Sequence, residues 1–143
     1  MDVVHHYKTA LKWDEGRIGT LSADTLDSFK VATPPEFPKG VPNTWSPEHL
    51  YVASINACLM TTFLAIAENS KLDFISFSCE SKGKLEKVDD KYMISEIELI
   101  PKIKVKSERD KERAGRITVK AEEQCLISNS VKTKIILNPI III

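Results

Sequence analysis

The sequence predicts an α+β protein in which antiparallel sheets pack around central helices. Three observations predict it. Residues from Pro47 to Asn69 are apolar around the whole helix axis, yet they open with a helix-start signature. Two strand-like arms, 74–88 and 92–106, flank the turn-forming pair Asp89-Asp90. The chain has 143 residues, 43% of them hydrophobic, with no repeats and no low-complexity segment, which fits a single domain spanning 1–143.

Residues 3–12 are β-branched and aromatic enough for a first strand, although the alternation is imperfect. Asp14 to Gly19 reads as a turn, with two acids and two glycines. Thr20 to Ser22 and Leu26 to Ala32 read as two short strands. Between Thr33 and Pro47 lie Pro34, Pro35, Pro38, Pro42 and Pro47, so this stretch is a loop directly upstream of the apolar helix. Ser46 is suited to the N-cap, Pro47 to the first helical position and Glu48 to the first turn. A helix apolar all round needs cover on every side, more than one small domain supplies, which favours a homodimer sharing two such helices. Residues 74–106 form a long hairpin. Residues 108–125 read as a second helix, with Gly115 a weak point. A short helical piece at 128–132 and a strand at 133–137 close the pattern.

Composition excludes several classes. Twenty basic residues balance twenty acidic ones, so no net charge draws the chain to nucleic acid or an anionic membrane. The stretch 102–120 holds eight basic and three acidic residues, but without aromatic interleaving it reads as a solvated face. Three cysteines without regular spacing argue against a secreted disulfide scaffold. The N-terminus lacks a basic stretch followed by an apolar one, so no secretory leader is expected. No unbroken run approaches eighteen apolar residues, so a soluble, cytoplasmic protein is expected. His5 and His6 have no cysteine or acid at ligand spacing, and no metal site is expected.

Two cysteines carry the chemistry. Cys58 lies within the apolar helix, where a thiol is ordinarily inert packing because burial suppresses the thiolate. A cation and a second thiol convert such a residue into a redox centre. Arg17, on the glycine-flanked turn Gly16-Arg17-Ile18-Gly19, is a candidate cation, and Glu48 a candidate carboxylate to orient its guanidinium. Glu48 and Cys58 lie roughly 15 Å apart along one helix. Glu48 of one chain therefore meets Cys58 more easily across two antiparallel helices of a dimer. Cys125 ends one helix and precedes another polar helix start, a junction able to move as a resolving cysteine must. Cys79 reads as a core or half-exposed strand residue.

Three segments in this order, Gly16-Arg17-Ile18-Gly19, Ser46-Pro47-Glu48-His49-Leu50 followed by Ser54-Ile55-Asn56-Ala57-Cys58, and Ala121 to Ser130 around Cys125, resemble the OsmC/Ohr family over nearly the whole chain. These are the osmotically inducible protein C and organic hydroperoxide resistance proteins. The resemblance implies an intertwined α+β homodimer and a cysteine peroxidase needing no metal or other cofactor beyond an external thiol or dithiol. It makes Cys58 the peroxidatic thiolate, Cys125 the resolving thiol, Arg17 the activating cation and Glu48 its anchor. A Cys58 sulfenic acid would condense with Cys125 to a disulfide, which a lipoylated protein, a thioredoxin-like protein or a small thiol then reduces. Leu59, Met60, Phe63 and the loop from Pro34 to Phe37 would form an apolar wall favouring organic hydroperoxides. Leu126 stands where many members have proline. The other reading is a redox-sensing or small-molecule-binding module on the same fold without efficient turnover.

Overall fold

A computed structural model describes residues 3–143; Met1 and Asp2 lie outside the described residues. The single domain expected from length divides into two compact units, Met1–Leu50 and Tyr51–Ile143, with the boundary in the first turn of a long helix.

The first unit is an antiparallel three-stranded sheet, β1 (Ala10–Glu15), β2 (Ile18–Ala23) and β3 (Leu26–Ala32). The first strand lies later than the sequence suggests: residues 3–9 are not in a strand, and Asp14 and Glu15, expected in a turn, complete β1. β-branched composition makes no strand unless a neighbour takes its backbone groups. Acidic Asp14 is tolerated because cross-strand partners hold it, Thr20 at 2.6 Å and Lys30 at 2.8 Å. The turn shrinks to Gly16-Arg17, where Gly16 takes a left-handed φ of 51°. The proline segment is an ordered loop. Phe37 N–H donates to Pro34 O and Gly40 N–H to Phe37 O. A Cβ on Gly40 would lie 2.0 Å from the Pro34 carbonyl oxygen, so this turn admits only glycine.

Helix α1 (Pro47–Asn69) has the expected bounds. The Ser46 hydroxyl accepts from His49 N–H at 3.2 Å and lies 2.6 Å from His49 Nδ1, so cap and third residue are joined twice. In the second unit α1 lies with the hairpin β4 (Ser76–Val88) and β5 (Lys91–Lys104), and with α2 (Glu108–Glu123). Asp89 and Asp90 both adopt positive φ, 51° and 65°, as a two-residue turn matched to strand twist requires. Odd-numbered residues of β5 (Ile97, Leu99, Pro101, Ile103) are fully buried, and α2 contributes the stripe Ala114, Ile117, Thr118 and Ala121. α1 supplies Ile55, Leu59, Phe63 and Ala67 to the same core. Gly83 on β4 lets the helix close in, since a Cβ there would meet Val52 Cγ2 at 2.6 Å.

The α+β class holds, but the second sheet is mixed rather than antiparallel. β6 (Lys134–Leu137) pairs in parallel with Glu96–Leu99 of β5. A strand absent from the sequence reading, β7 (Ile140–Ile142), pairs in parallel with Lys102–Lys104. The two lie end to end along one edge of β5, with Asn138 between them donating its N–H to Leu99 O.

α1 is long and apolar enough, by length and composition, to cross a membrane, with mean hydropathy 1.8 over eighteen residues. Counting unbroken apolar runs missed this because Ser54, Asn56, Thr61 and Thr62 interrupt the stretch. Only 28% of that window is buried within the chain. Cover on every side, expected from the sequence, is thus absent in a single copy: Ala57, Met60, Leu64 and Ala65 remain exposed.

Candidate active site

The second unit brings Cys58 and Cys125 together. Cys58 stands on the middle of α1, turned inward with Ile55, Leu59 and Phe63, and retains 9% exposure. Cys125 follows the Gln124 cap of α2 and is fully buried. All three cysteines are free thiols. After Cys125 the chain stays helical, with Asn129 N–H donating to Cys125 O at 3.0 Å, and runs into a 3-10 turn at Ser128–Ser130 in which Ser130 N–H donates to Ile127 O at 3.0 Å.

That turn converges donors on Cys58. Burial, the largest single influence, pushes the Cys58 thiol up, because an ion loses its hydration there. Together the hydrogen bonds outweigh it: the Cys125 thiol, the Ile127 N–H, the Thr62 hydroxyl and the Leu126 N–H all face its sulfur. The net result is a thiol held below its ordinary range. Thr62 lies one helical turn on, with its oxygen 3.9 Å from the sulfur. Cys125 moves the opposite way: burial first, then the hydrogen bond it gives to Cys58, raise it, while Ser128 lowers it. The pair is thereby polarised, with Cys58 prone to ionise and Cys125 to keep its proton.

Behind Cys125 stand Ser128 and Glu122, which the sequence reading did not select. Burial raises the Glu122 carboxyl, and the Ser128 hydroxyl offsets part of that rise. Their signal was spacing, three residues before and three after Cys125, visible only once the segment is known to continue as helical turns. Cys79 on β4 is half-buried and pushed up to about 11, mainly by burial. Its carbonyl accepts from Asn56 Nδ2 of α1 at 3.1 Å.

Arg17 is exposed on the β1–β2 turn and lines a concavity of about 500 Å³ with Leu11, Trp13 and Pro47. Glu48 is half-buried in the first turn of α1. No ion pair joins Arg17 to Glu48 among the described residues. Phe37 is half-buried in the proline loop, and Met60 is 39% exposed on α1. Leu59 and Phe63 do not form a wall open to substrate. Both are fully buried, and Phe63 packs between Phe74 and Phe77 with ring centroids 5.4 and 5.0 Å away. Periodicity on a helix apolar all round could not separate a core face from a substrate face. No group of three or more His, Cys, Asp or Glu side chains among the described residues is placed to hold a metal ion.

This polarised dithiol belongs to a fold seen repeatedly in solved structures. An OsmC-like protein of unknown function from Vibrio cholerae superposes with a TM-score of 0.86 at 22% identity, covering 96% of this chain and 100% of its own. An organic hydroperoxide resistance protein from Legionella pneumophila gives 0.78 at 21% identity, covering 99% and 100%. The organic hydroperoxide resistance protein OhrB of Bacillus subtilis gives 0.71 at 19% identity, covering 96% and 98%. Among curated sequences, an uncharacterized protein of Methanocaldococcus jannaschii is 28% identical over 96 residues, 67% of this chain. The chain spans about half the length of that relative, 49%. Residues 40–139, which hold both Cys58 and Cys125, match the OsmC-like protein family, and the chain belongs to that family.

Proposed function

We propose that the chain is a cysteine-based hydroperoxide reductase acting in peroxide detoxification. The observation that carries this reading is the polarised pair: Cys58 held below the ordinary thiol range by converging donors, one of them the Cys125 thiol itself. The Cys58 thiolate attacks the distal oxygen of a hydroperoxide, the O–O bond breaks, and the alkoxide takes a proton to leave as alcohol. The Cys58 sulfenic acid condenses with Cys125, releasing water and forming a disulfide, and an external dithiol or thiol protein reduces it. Met60 and Phe37 are the apolar groups left to contact an alkyl tail. Arg17 and Glu48 keep the roles of activating cation and carboxylate anchor. The uncovered apolar face of α1, including Met60 and Leu64, supports a homodimer that completes the site. A cytoplasmic protein fits the reduced cysteines this cycle needs.

The test is single-turnover oxidation of the fully reduced protein by cumene hydroperoxide and, separately, hydrogen peroxide, with thiol counting and mass-spectrometric location of the bridge. Rapid loss of two thiols to a Cys58–Cys125 bridge, faster with the organic peroxide and abolished by Cys58→Ser, is the expected result. Slow oxidation indifferent to the peroxide, or a bridge through Cys79, overturns it in favour of a sensing or binding module.

A further inference from the structure

The polar groups behind Cys125 have no part in that scheme, yet two of their atoms are buried without a partner. Glu122 lies in the last turn of α2, Cys125 just past its cap, and Ser128 opens the next turn. Cys125 N–H donates to Glu122 O at 3.2 Å and Asn129 N–H to Cys125 O, so the path stays helical and positions three apart share a side. Glu122 Oε2 and Ser128 Oγ are both buried, and neither closes a hydrogen bond of full geometry. The hydroxyl nevertheless lies within interaction range of both the carboxylate and the Cys125 thiol. A hydroxyl has one proton to give. When Ser128 gives it to Glu122, its lone pairs are free to accept from Cys125.

We infer that Glu122, acting through Ser128, receives the proton of Cys125 when that thiol attacks oxidised Cys58. This deepens the peroxidase reading and rests on it. In the reduced protein the Cys125 thiol donates to the Cys58 sulfur. Once Cys58 is a sulfenic acid, that negative acceptor has gone and the proton needs another. Burial keeps Cys125 above the ordinary thiol range, so at neutral pH the attacking group starts as a thiol and needs a base. In the step, the Cys125 proton passes to Ser128 Oγ while the Ser128 proton passes to the Glu122 carboxylate. The Cys125 sulfur pair forms the S–S bond, the S–O bond of Cys58 breaks, and the oxygen leaves with its pair as hydroxide. The proton on half-exposed Glu122 returns through solvent, and the products are one disulfide and one water. Cys125 is oxidised and the Cys58 sulfenic acid reduced, so no further oxidant is needed. Among the described residues Cys79 of β4 feels the charge of Glu122, Cys125 is linked to it through Ser128, and Glu122 forms no ion pair.

The test follows both phases of a cumene hydroperoxide single turnover: Cys58 sulfenic acid by dimedone trapping, and the bridge by quenched alkylation. Glu122→Gln should form sulfenic acid at the wild-type rate but bridge about tenfold or more slowly. Ser128→Ala should do the same, and Ser128→Thr, which keeps the hydroxyl, should stay near wild type. Wild-type bridging should slow as pH falls through the raised Glu122 range, because a protonated carboxyl takes no proton. Glu122→Gln should be flat there and recover as pH climbs toward the Cys125 range, where solvent removes the proton. Bridging at the wild-type rate in Glu122→Gln, or a slowing equal at every pH, overturns the inference. A wild-type protein that never forms Cys58 sulfenic acid overturns the peroxidase reading instead, and this inference falls with it.

Discussion

Replacing Leu126 by proline removes one atom that matters, the N–H facing the Cys58 sulfur. The Leu126 side chain is 67% exposed, so losing it costs little packing. Its N–H makes no backbone hydrogen bond among the described residues, and a residue opening a helical turn accepts the fixed φ of proline. The change therefore falls mainly on the thiolate. A hydrogen bond to a charged group contributes about 1.5–3 kcal/mol net, and the weakest of four donors shared by one diffuse sulfur falls below that range. Its loss raises the Cys58 pKa and cuts the thiolate fraction by less than tenfold at any pH below that pKa. The assay is the pH dependence of iodoacetamide alkylation at Cys58, read by mass spectrometry. Cys79 and Cys125 are both pushed up and react later, so the first site modified reports Cys58. Leu126→Pro should shift the alkylation curve toward higher pH and reach the same plateau. Leu126→Ala, which keeps the N–H, should overlay wild type. Equal rates in wild type and Leu126→Pro, or equal slowing in Leu126→Ala, would refute the assignment of this N–H as a thiolate donor.

Three further substitutions test the packing around the site. Cys79, held at about 11, favours the folded state while protonated; because its folded value lies above the ordinary thiol value, that contribution is complete below about pH 9 and is lost as pH rises towards 11. Chemical denaturation across that window should show wild type losing about 1–2 kcal/mol more than Cys79→Ala, after allowing for solvent around a half-buried sulfur. Phe63→Ala, which empties a fully buried site between Phe74 and Phe77, should cost about 3–5 kcal/mol in urea unfolding. Met60→Ala should cost far less in dilute protein; equal costs would return Phe63 to the substrate wall.

Much of the fold was legible because local chemistry fixes it. Ser46 and Pro47 started α1 where the cap hydrogen bonds now lie, and Asp89-Asp90 marked the hairpin because short acidic side chains tolerate the two positive φ angles found there. The failures concern partners distant in sequence. A strand at 3–12 needs a neighbour that the described chain does not give to residues 3–9. β7 could not be seen because three isoleucines become a strand only when β5 offers Lys102–Lys104 beside them. Parallel pairing leaves no local signature, since alternation along β6 would read the same in either direction.

The site divides along the same line. Cys58 and Cys125 were legible as an unlike pair, one in an apolar helix and one at a polar junction, and their approach is a tertiary fact consistent with both settings. Glu122 and Ser128 were not, because a glutamate in a charged helix end and a serine before an asparagine are ordinary surface residues by composition. What changes them is burial of one atom each, Oε2 and Oγ, beside a thiol with no exposed surface. Leaving two such atoms buried without full hydrogen bonds costs about 1–3 kcal/mol apiece. A structural role would be served as well by closing those bonds or by apolar side chains. A proton relay needs a hydroxyl that can give its proton to the carboxylate and accept one from the thiol, and Ser128 lies within reach of both. A hydroxyl beside both a carboxylate and a buried thiol suits a step in which Cys125 changes partner, which packing alone does not require.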